Sequence, residues 1–336
     1  MRGRARAAAA VVAVAGLTAA GGVLAGCGSP GTGPTTTSAG SAAGGSTATT
    51  QPRGAWSAPV TVAAGTALDQ VSCATTTFCV AVAGGSAYGW DGTAWSGPTA
   101  LGFGPGAGPT SVACPTTTLC VAVAPSGQAA AWNGTAWSAP VAVSANQGLG
   151  AVGCAGPTFC VTIDGVGDSY RFDGARWSGG PGAWGAADGI SCASPTFCVA
   201  AEGDPSVWDG RSWSQPQGAD TAGEVDAVAC PAATFCMAVD STGHAMSWNG
   251  TAWSAPQAVM AGSGSTPGST RQGLTAVSCP SATACVAVGA DGRAYRWDDA
   301  AWSTGRKVST AALTSVSCVA ESCVATDAAG RAYRSA

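Results

Sequence analysis

Fourteen of the fifteen cysteines fall into seven close pairs: Cys73 with Cys79, Cys114 with Cys120, Cys154 with Cys160, Cys192 with Cys198, Cys230 with Cys236, Cys279 with Cys285, and Cys318 with Cys323. Paired thiols can form disulfides, exchange electrons or ligate a metal. A thiolate metal site needs four converging ligands, but here the thiols come two at a time and the chain has one histidine, His244. Seven equivalent pairs are a framework rather than a redox centre. The spacing therefore predicts structural disulfides, each stapling a short hairpin and each contributing about 2–2.5 kcal/mol on the chain-entropy account. A cysteine density this high belongs to an oxidising compartment.

Other residue types suggest binding chemistry. Four residues ahead of each first cysteine stand Asp69, Thr110, Gly150, Asp188, Asp226, Thr275 and Thr314. Three carboxylates among hydroxyls suit a cation or an amine. The competing and preferred reading is that Asp and Thr cap a turn through local hydrogen bonds. Asp69, Asp188 and Asp226 are kept as candidate ligand-binding residues, with Trp184, a tryptophan outside the repeat. His244 has no nucleophile beside it in sequence and reads as a surface residue. Neither a metal nor a cofactor is expected.

These residues sit in a repeat. Successive first cysteines are 41, 40, 38, 38, 49 and 39 residues apart. A period near ~40 with short β-type segments points to four-stranded propeller blades. Helical repeats of that length need runs of helix formers that this Gly/Thr/Ser/Val-rich chain lacks. Strand A is expected to end at the first cysteine and strand B to start at the second. A Gly-containing turn follows, and strand C carries an aromatic such as Trp132 or Trp297. Asp-Gly or Asn-Gly then makes a tight hairpin, because these residues accept positive φ. Strand D opens at a Trp five residues after the strand C aromatic: Trp95, Trp137, Trp177, Trp213, Trp253 and Trp302.

The seventh unit has no strand D, while an orphan strand D, Ala55-Trp56-Ser57-Ala58-Pro59-Val60-Thr61-Val62, precedes the first unit. The expected fold is an all-β, seven-bladed propeller of four-stranded antiparallel blades over residues 55–336, with the N-terminal strand completing the last blade. This arrangement resembles the closure of tryptophan–aspartate-repeat propellers. It removes two free sheet edges.

Residues 1–26 read as a signal segment, with basic Arg2, Arg4 and Arg6 followed by an apolar stretch. The stretch ends in Leu24-Ala25-Gly26-Cys27, which resembles the bacterial lipobox. That resemblance implies cleavage before Cys27 and a lipid on its thiol. The protein is then expected outside the cytoplasm, anchored to the bacterial cell membrane. Residues 27–54 begin with the lipidated cysteine and continue as a Gly/Ser/Thr/Pro-rich flexible linker with a reach of roughly 25–30 Å. Formal net charge is −4. Losing the three leader arginines takes it to −7, which repels phosphate backbones and excludes nucleic acid as a partner.

The W-[DN]-G-x-x-W element, as in Trp90–Trp95, resembles the hairpin of fucose-binding propeller lectins, which implies sugar stacking. The Arg and Glu that grip the sugar there have no repeated counterpart here, and regular large aromatics are usually core. The hairpin also resembles the sialidase Asp-box, with Asp and Gly adjacent instead of spaced. No catalytic constellation is visible. The expected function is a monomeric, non-catalytic binding or scaffold module for a protein or other ligand. A carbohydrate-binding propeller is the alternative, and a glycosidase or lyase of propeller fold ranks below it. The connections Thr99–Pro109 and Gln257–Gly273, which vary most between units, are the expected places for specificity.

Overall fold

The computed structural model describes residues 54–335, apart from 105, 146, 202, 216–217, 219–222 and 261–272. Cys27, the segment before it, most of the linker and the middle of the 257–273 connection lie outside the described residues. What is described is all-β: seven antiparallel sheets arranged as the blades of a propeller.

Blade 1 shows the plan. Strand A (Gln70–Thr75), strand B (Phe78–Ala83), strand C (Ser86–Trp90) and strand D (Trp95–Ala100) pair in sequence order. The A strands of successive blades pack side by side round the centre, and that of blade 7 (Leu313–Val319) packs against that of blade 1. Two residues before the first cysteine, every A strand carries a buried β-branched residue: Val71, Val112, Val152, Ile190, Val228, Val277 and Val316. Such side chains fit a pleated surface packed on both sides. The core therefore lies between blades, in clusters shared by neighbouring sheets, such as that of Val80, Val82, Val112 and Ala122.

Blade 7 takes its outer strand from the other end of the chain. Val60 and Thr61 pair with Ala332 and Arg331, and Trp56 bridges Ser335. Ser57 N donates to Arg334 O at 2.7 Å, and Arg334 N donates to Ser57 Oγ at 3.0 Å. Trp56 packs against the blade 6–7 core.

All seven cysteine pairs are disulfides. Cys73 bonds Cys79, Cys114 bonds Cys120, Cys154 bonds Cys160, Cys192 bonds Cys198, Cys230 bonds Cys236, Cys279 bonds Cys285, and Cys318 bonds Cys323, with Cα atoms 3.9–4.1 Å apart. The expected strand ends need correction, however. No B strand starts at its cysteine. Cys79, Cys120, Cys160, Cys198, Cys236, Cys285 and Cys323 are each the second residue of strand B, after Phe78, Leu119, Phe159, Phe197, Phe235, Ala284 and Ser322. No A strand stops at its cysteine either: that of blade 1 continues from Cys73 to Thr75. Each bond therefore crosses the ladder near its end instead of marking where the strands stop. In blades 1 to 6 the physical reason is a register shift, whereas blade 7, with one residue fewer between its cysteines, pairs Val319 with Ser322 without one. Between Cys73 and Thr75 the shift lets one more residue pair form beyond the disulfide, Thr75 with Phe78, and tightens the A–B turn to two residues. A chain that bonds seven pairs in this way belongs to an oxidising compartment. Blade 4 also departs from the plan. It has three named strands, and the place of the fourth is taken by a bridge between Trp208 and Trp213.

Removing residues 55–62 should lower the unfolding free energy by roughly 3–5 kcal/mol, from lost Trp56 burial and lost ladder bonds. Urea denaturation with all disulfides intact measures it. An unchanged midpoint would mean that the ring does not depend on this strand.

Candidate functional site

The propeller's centre is built from small side chains that reach sideways. The residue three before the first cysteine accepts from the next blade: Gln70 Oε1 from Val112 N at 2.6 Å, Ser111 Oγ from Val152 N at 3.0 Å and Ser315 Oγ from Val71 N at 3.2 Å. The residue directly before the cysteine does the same. Ser72, Ser191, Ser278 and Ser317 accept from Cys114, Cys230, Cys318 and Cys73 N at 2.9–3.0 Å. These bonds satisfy N–H groups on the inner edge of strand A that have no further strand to pair with. Where blade 3 meets blade 4 the residue is Gly153, and a Cβ there would lie 2.8 Å from Ile190 O.

The residues four before the cysteine lie at the start of strand A, and the threonines are occupied. Thr110 Oγ1 donates to Gly150 O at 3.4 Å, Thr275 Oγ1 to Leu313 O at 2.8 Å and Thr314 Oγ1 to Leu68 O at 2.6 Å, each in the next blade. Asp69 and Asp188 are half-buried and Asp226 is buried. Their blades are the first, fourth and fifth. Among the described residues, no three His, Cys, Asp or Glu side chains come together as a metal site. Burial pushes the Asp69 carboxyl up to about 6.

The Trp hairpins are framework. Four of the five strand C indoles donate to the A–B turn of their own blade: Trp90 Nε1 to Thr76 O, Trp132 to Thr117 O, Trp208 to Pro195 O and Trp248 to Ala233 O, at 3.1–3.3 Å. Each pairs with the strand D Trp in a tilted contact, as in Trp90–Trp95 at 5.8 Å. The Asp or Asn after the aromatic closes the hairpin. Asp91 Oδ1 accepts from Thr93 Oγ1, Thr93 N and Ala94 N, and Asn133 Oδ1 accepts from the same three groups of its own hairpin, on Thr135 and Ala136. The Thr93 hydroxyl and the two amides hold the Asp91 carboxyl down to about 2. One acceptor oxygen suffices, which is why Asp and Asn interchange here.

Sequence reasoning missed a second set of carboxylates. Asp164, Asp240 and Asp327 lie four residues after the second cysteine, at the end of strand B, fully buried. Asp164 accepts from Val166 N, Asp168 N, Ser144 Oγ and Tyr170 OH. Asp327 accepts from Ala329 N, Arg331 N and Nε, Ser309 Oγ and Tyr333 OH. Burial works against the charge on both, but these donors outweigh it and hold both carboxyls below their usual value. The signal was present as D-x-x-G after strand B, in Asp164–Gly167, Asp240–Gly243 and Asp327–Gly330. His244 belongs to the same device. It opens strand C (His244–Trp248) and is half-buried rather than a surface turn residue. Its Nδ1 lies 2.8 Å from Thr242 Oγ1 and 3.2 Å from Asp240 Oδ2. A hydrolytic triad uses the two ring nitrogens for its two partners, whereas here one nitrogen meets both.

Two features remain open to a ligand. Trp184 is 57% exposed, and Val166, in the B–C turn of blade 3, is 61% exposed. Their segments touch, since Ala183 N donates to Gly167 O at 2.6 Å. The second feature is a groove of about 790 Å³ between blades 2 and 3, walled by Trp132, Trp137, Phe172 and Trp177, with Arg176 at its edge. Small residues of blade 2 strand C, Ala129, Ala130 and Ala131, form part of its lining. In blade 7, Arg334 lies over Trp90 of blade 1 at 4.4 Å, whereas blade 2 has Ala131 at the matching strand position. Ala130 likewise stands where blades 1, 3, 6 and 7 carry Tyr88, Tyr170, Tyr295 and Tyr333.

Fold and site together define a disulfide-stapled seven-bladed β-propeller. The structure of YCF48 bound to D1 peptide is similar to it, with a TM-score of 0.66 over 83% of this chain and 96% of that one, at 14% identity. That likeness is one of fold. In all, 1411 chains of solved structures match, so the architecture by itself selects no activity. No family profile matches the sequence, and no curated protein does.

Asp69 gives a testable pH dependence. Its folded pKa lies above the unfolded value, so the native state holds a proton that the unfolded state releases. That contribution is fully present below pH ~4 and is lost as pH rises through about 6. Asp69→Asn should remove this fall and stabilise the protein at pH 7 by on the order of 2 kcal/mol. Denaturation curves at pH 4 and pH 7 measure it. Parallel losses in variant and wild type would assign the slope to other groups.

Proposed function

We propose that this chain is a lipid-anchored, extracytoplasmic propeller that binds a protein partner on the face formed by its B–C turns and D–A connections. The observation that carries this reading is the joint exposure of Val166 and Trp184 on a frame whose other large apolar side chains are almost all covered. An exposed tryptophan beside an aliphatic residue on a rigid scaffold is the composition of a protein-binding hot spot. YCF48, of the same architecture, is named as binding a peptide, which supports a peptide or protein ligand here. The seven disulfides support a place outside the cytoplasm. The lipobox-like Leu24-Ala25-Gly26-Cys27 supports the anchor, residues 1–26 a removable leader, and 27–54 a tether between the ring and the membrane.

Carbohydrate is the second reading, favoured by the aromatic groove between blades 2 and 3. A photo-crosslinking side chain at position 184 should yield discrete protein adducts in the native cell, and one at position 141 should not. In the Val166→Ser variant the adduct should fall at least tenfold, with the unfolding midpoint unchanged. Absence of a 184 adduct, combined with glycan-array binding that Trp137→Ala abolishes, would move the function to the groove.

The anchor is tested separately. Cys27→Ala should shift the protein from the membrane fraction to the soluble fraction. Unchanged membrane retention would remove the lipid reading.

A further inference from the structure

Charge is distributed unevenly round the ring. From Gly54 onward the chain has 18 Asp and Glu against 10 Lys and Arg. Before residue 274 there are 13 acidic and 4 basic residues, and after it 5 acidic and 6 basic. Blades 1 to 5 are thus strongly negative, and blades 6 and 7 are not.

The basic residues of blade 6 gather on its outer edge. Strand C (Arg293–Trp297) pairs with strand D (Arg306–Lys307), placing Arg293 opposite Lys307 and Ala294 opposite Arg306. Arg293, Arg306 and Lys307 are exposed and Arg296 is half-buried. Their charges are poorly compensated. Lys307 Nζ donates to the carbonyl of Asp291 at 2.6 Å, and Arg293 Nη1 to that of Gly305. The nearest ion pair is Arg293 Nε to the Asp291 carboxylate at 3.7 Å. Asp291 also accepts from Arg293 N and Tyr295 OH. Asp298 and Asp299 lie on the hairpin past Trp297, at the opposite end of strand C from Arg293.

The position of this edge matters because the N-terminal segment joins the ring there. Arg306 Nη1 donates to Gly54 O at 3.3 Å, and a Cβ on Gly54 would lie 3.3 Å from Arg296 Nε. Gly54, to which the segment carrying Cys27 is joined in sequence, therefore sits beside the ring's most basic rim. We propose that this rim, centred on Arg293, Arg306 and Lys307, is the surface that faces anionic lipid headgroups. The tether confines the rim to within a linker's reach of the bilayer. The anionic leaflet attracts the rim and repels the acidic blades, so the ring stands with blade 6 toward the membrane and blade 3, which carries Val166 and Trp184, on the far side of the ring. In its cellular setting this rests on the lipid-anchor reading. The surface itself does not.

Every propeller strand and every paired cysteine lies after Gly54, so a chain beginning at Gly28 can be tested without leader or lipid. Its binding to vesicles of phosphatidylglycerol mixed with phosphatidylcholine should exceed its binding to phosphatidylcholine alone, and should weaken as salt rises. Arg293→Gln, Arg306→Gln and Lys307→Gln combined should lower the partition coefficient by roughly 100-fold, about 5-fold per charge. Arg171→Gln, Arg176→Gln and Arg211→Gln combined, on blades 3 and 4, should leave it within about twofold. Thermal midpoints of both variants establish that they are folded. Equal binding to the two vesicle types, or equal losses from the two variants, overturns the proposal. So does binding to a soluble polyanion such as heparin with no vesicle binding. Because Cys27 is absent from the assay, failure here leaves the anchor standing, and failure of the Cys27→Ala fractionation leaves the vesicle result standing.

Discussion

The inner edge of each sheet is the constraint on which this molecule depends. A strand at the centre of a propeller has a neighbour on one side only, and its other N–H groups face a crowded axis where no strand fits. Here they are met by side chains from the adjacent blade: Gln70, Ser72, Ser111, Ser191, Ser278, Ser315 and Ser317. Two of these bonds join blade 7 to blade 1, so the contact that builds each junction also closes the circle. The outer strand borrowed from residues 60–61 repeats that closure at the rim.

Most residues that look chemically active serve this frame. Disulfides cross the A–B ladder, indoles hold the A–B turn, and hairpin carboxylates and amides receive backbone N–H groups. The buried aspartates Asp164, Asp240 and Asp327 pin the B–C turns from beneath. In blades 3, 5 and 7 the turns are held at both ends, so loops such as the one bearing Trp184 can vary without loss of the frame. The groove between blades 2 and 3 is lined in part by Ala129, Ala130 and Ala131.

The features proposed to carry function are departures from the repeat. Val166 and Trp184 expose apolar surface on blade 3, and the cationic edge of blade 6 adjoins Gly54. The first is suited to a partner and the second to a membrane. On the proposed reading, together they would give the ring an orientation that seven identical blades could not have.

The sequence by itself determined the architecture. The ~40-residue period, the cysteine spacing and the split strand D are local features, and each blade solves the same local problem, so alternation and turn chemistry were enough to read it. It also determined the partner of each cysteine, from Cys73 with Cys79 to Cys318 with Cys323, and that the tryptophans recur as blade packing. Where the strands end was not legible. The register shift occurs in the six blades with five residues between their cysteines and not in blade 7, which has four, yet in all seven strand B begins one residue before its cysteine. Only the tertiary structure decided what depends on contacts between blades. The threonines four before the cysteines donate to the next blade's carbonyls, a relation between distant residues with no local signature. His244, read as a surface residue, is tied to Asp240 and Thr242 because strand C begins earlier than its turn suggested. The basic rim joins strands C and D of blade 6 to Gly54, 252 residues before Arg306, and sequence order separates what ring closure brings together.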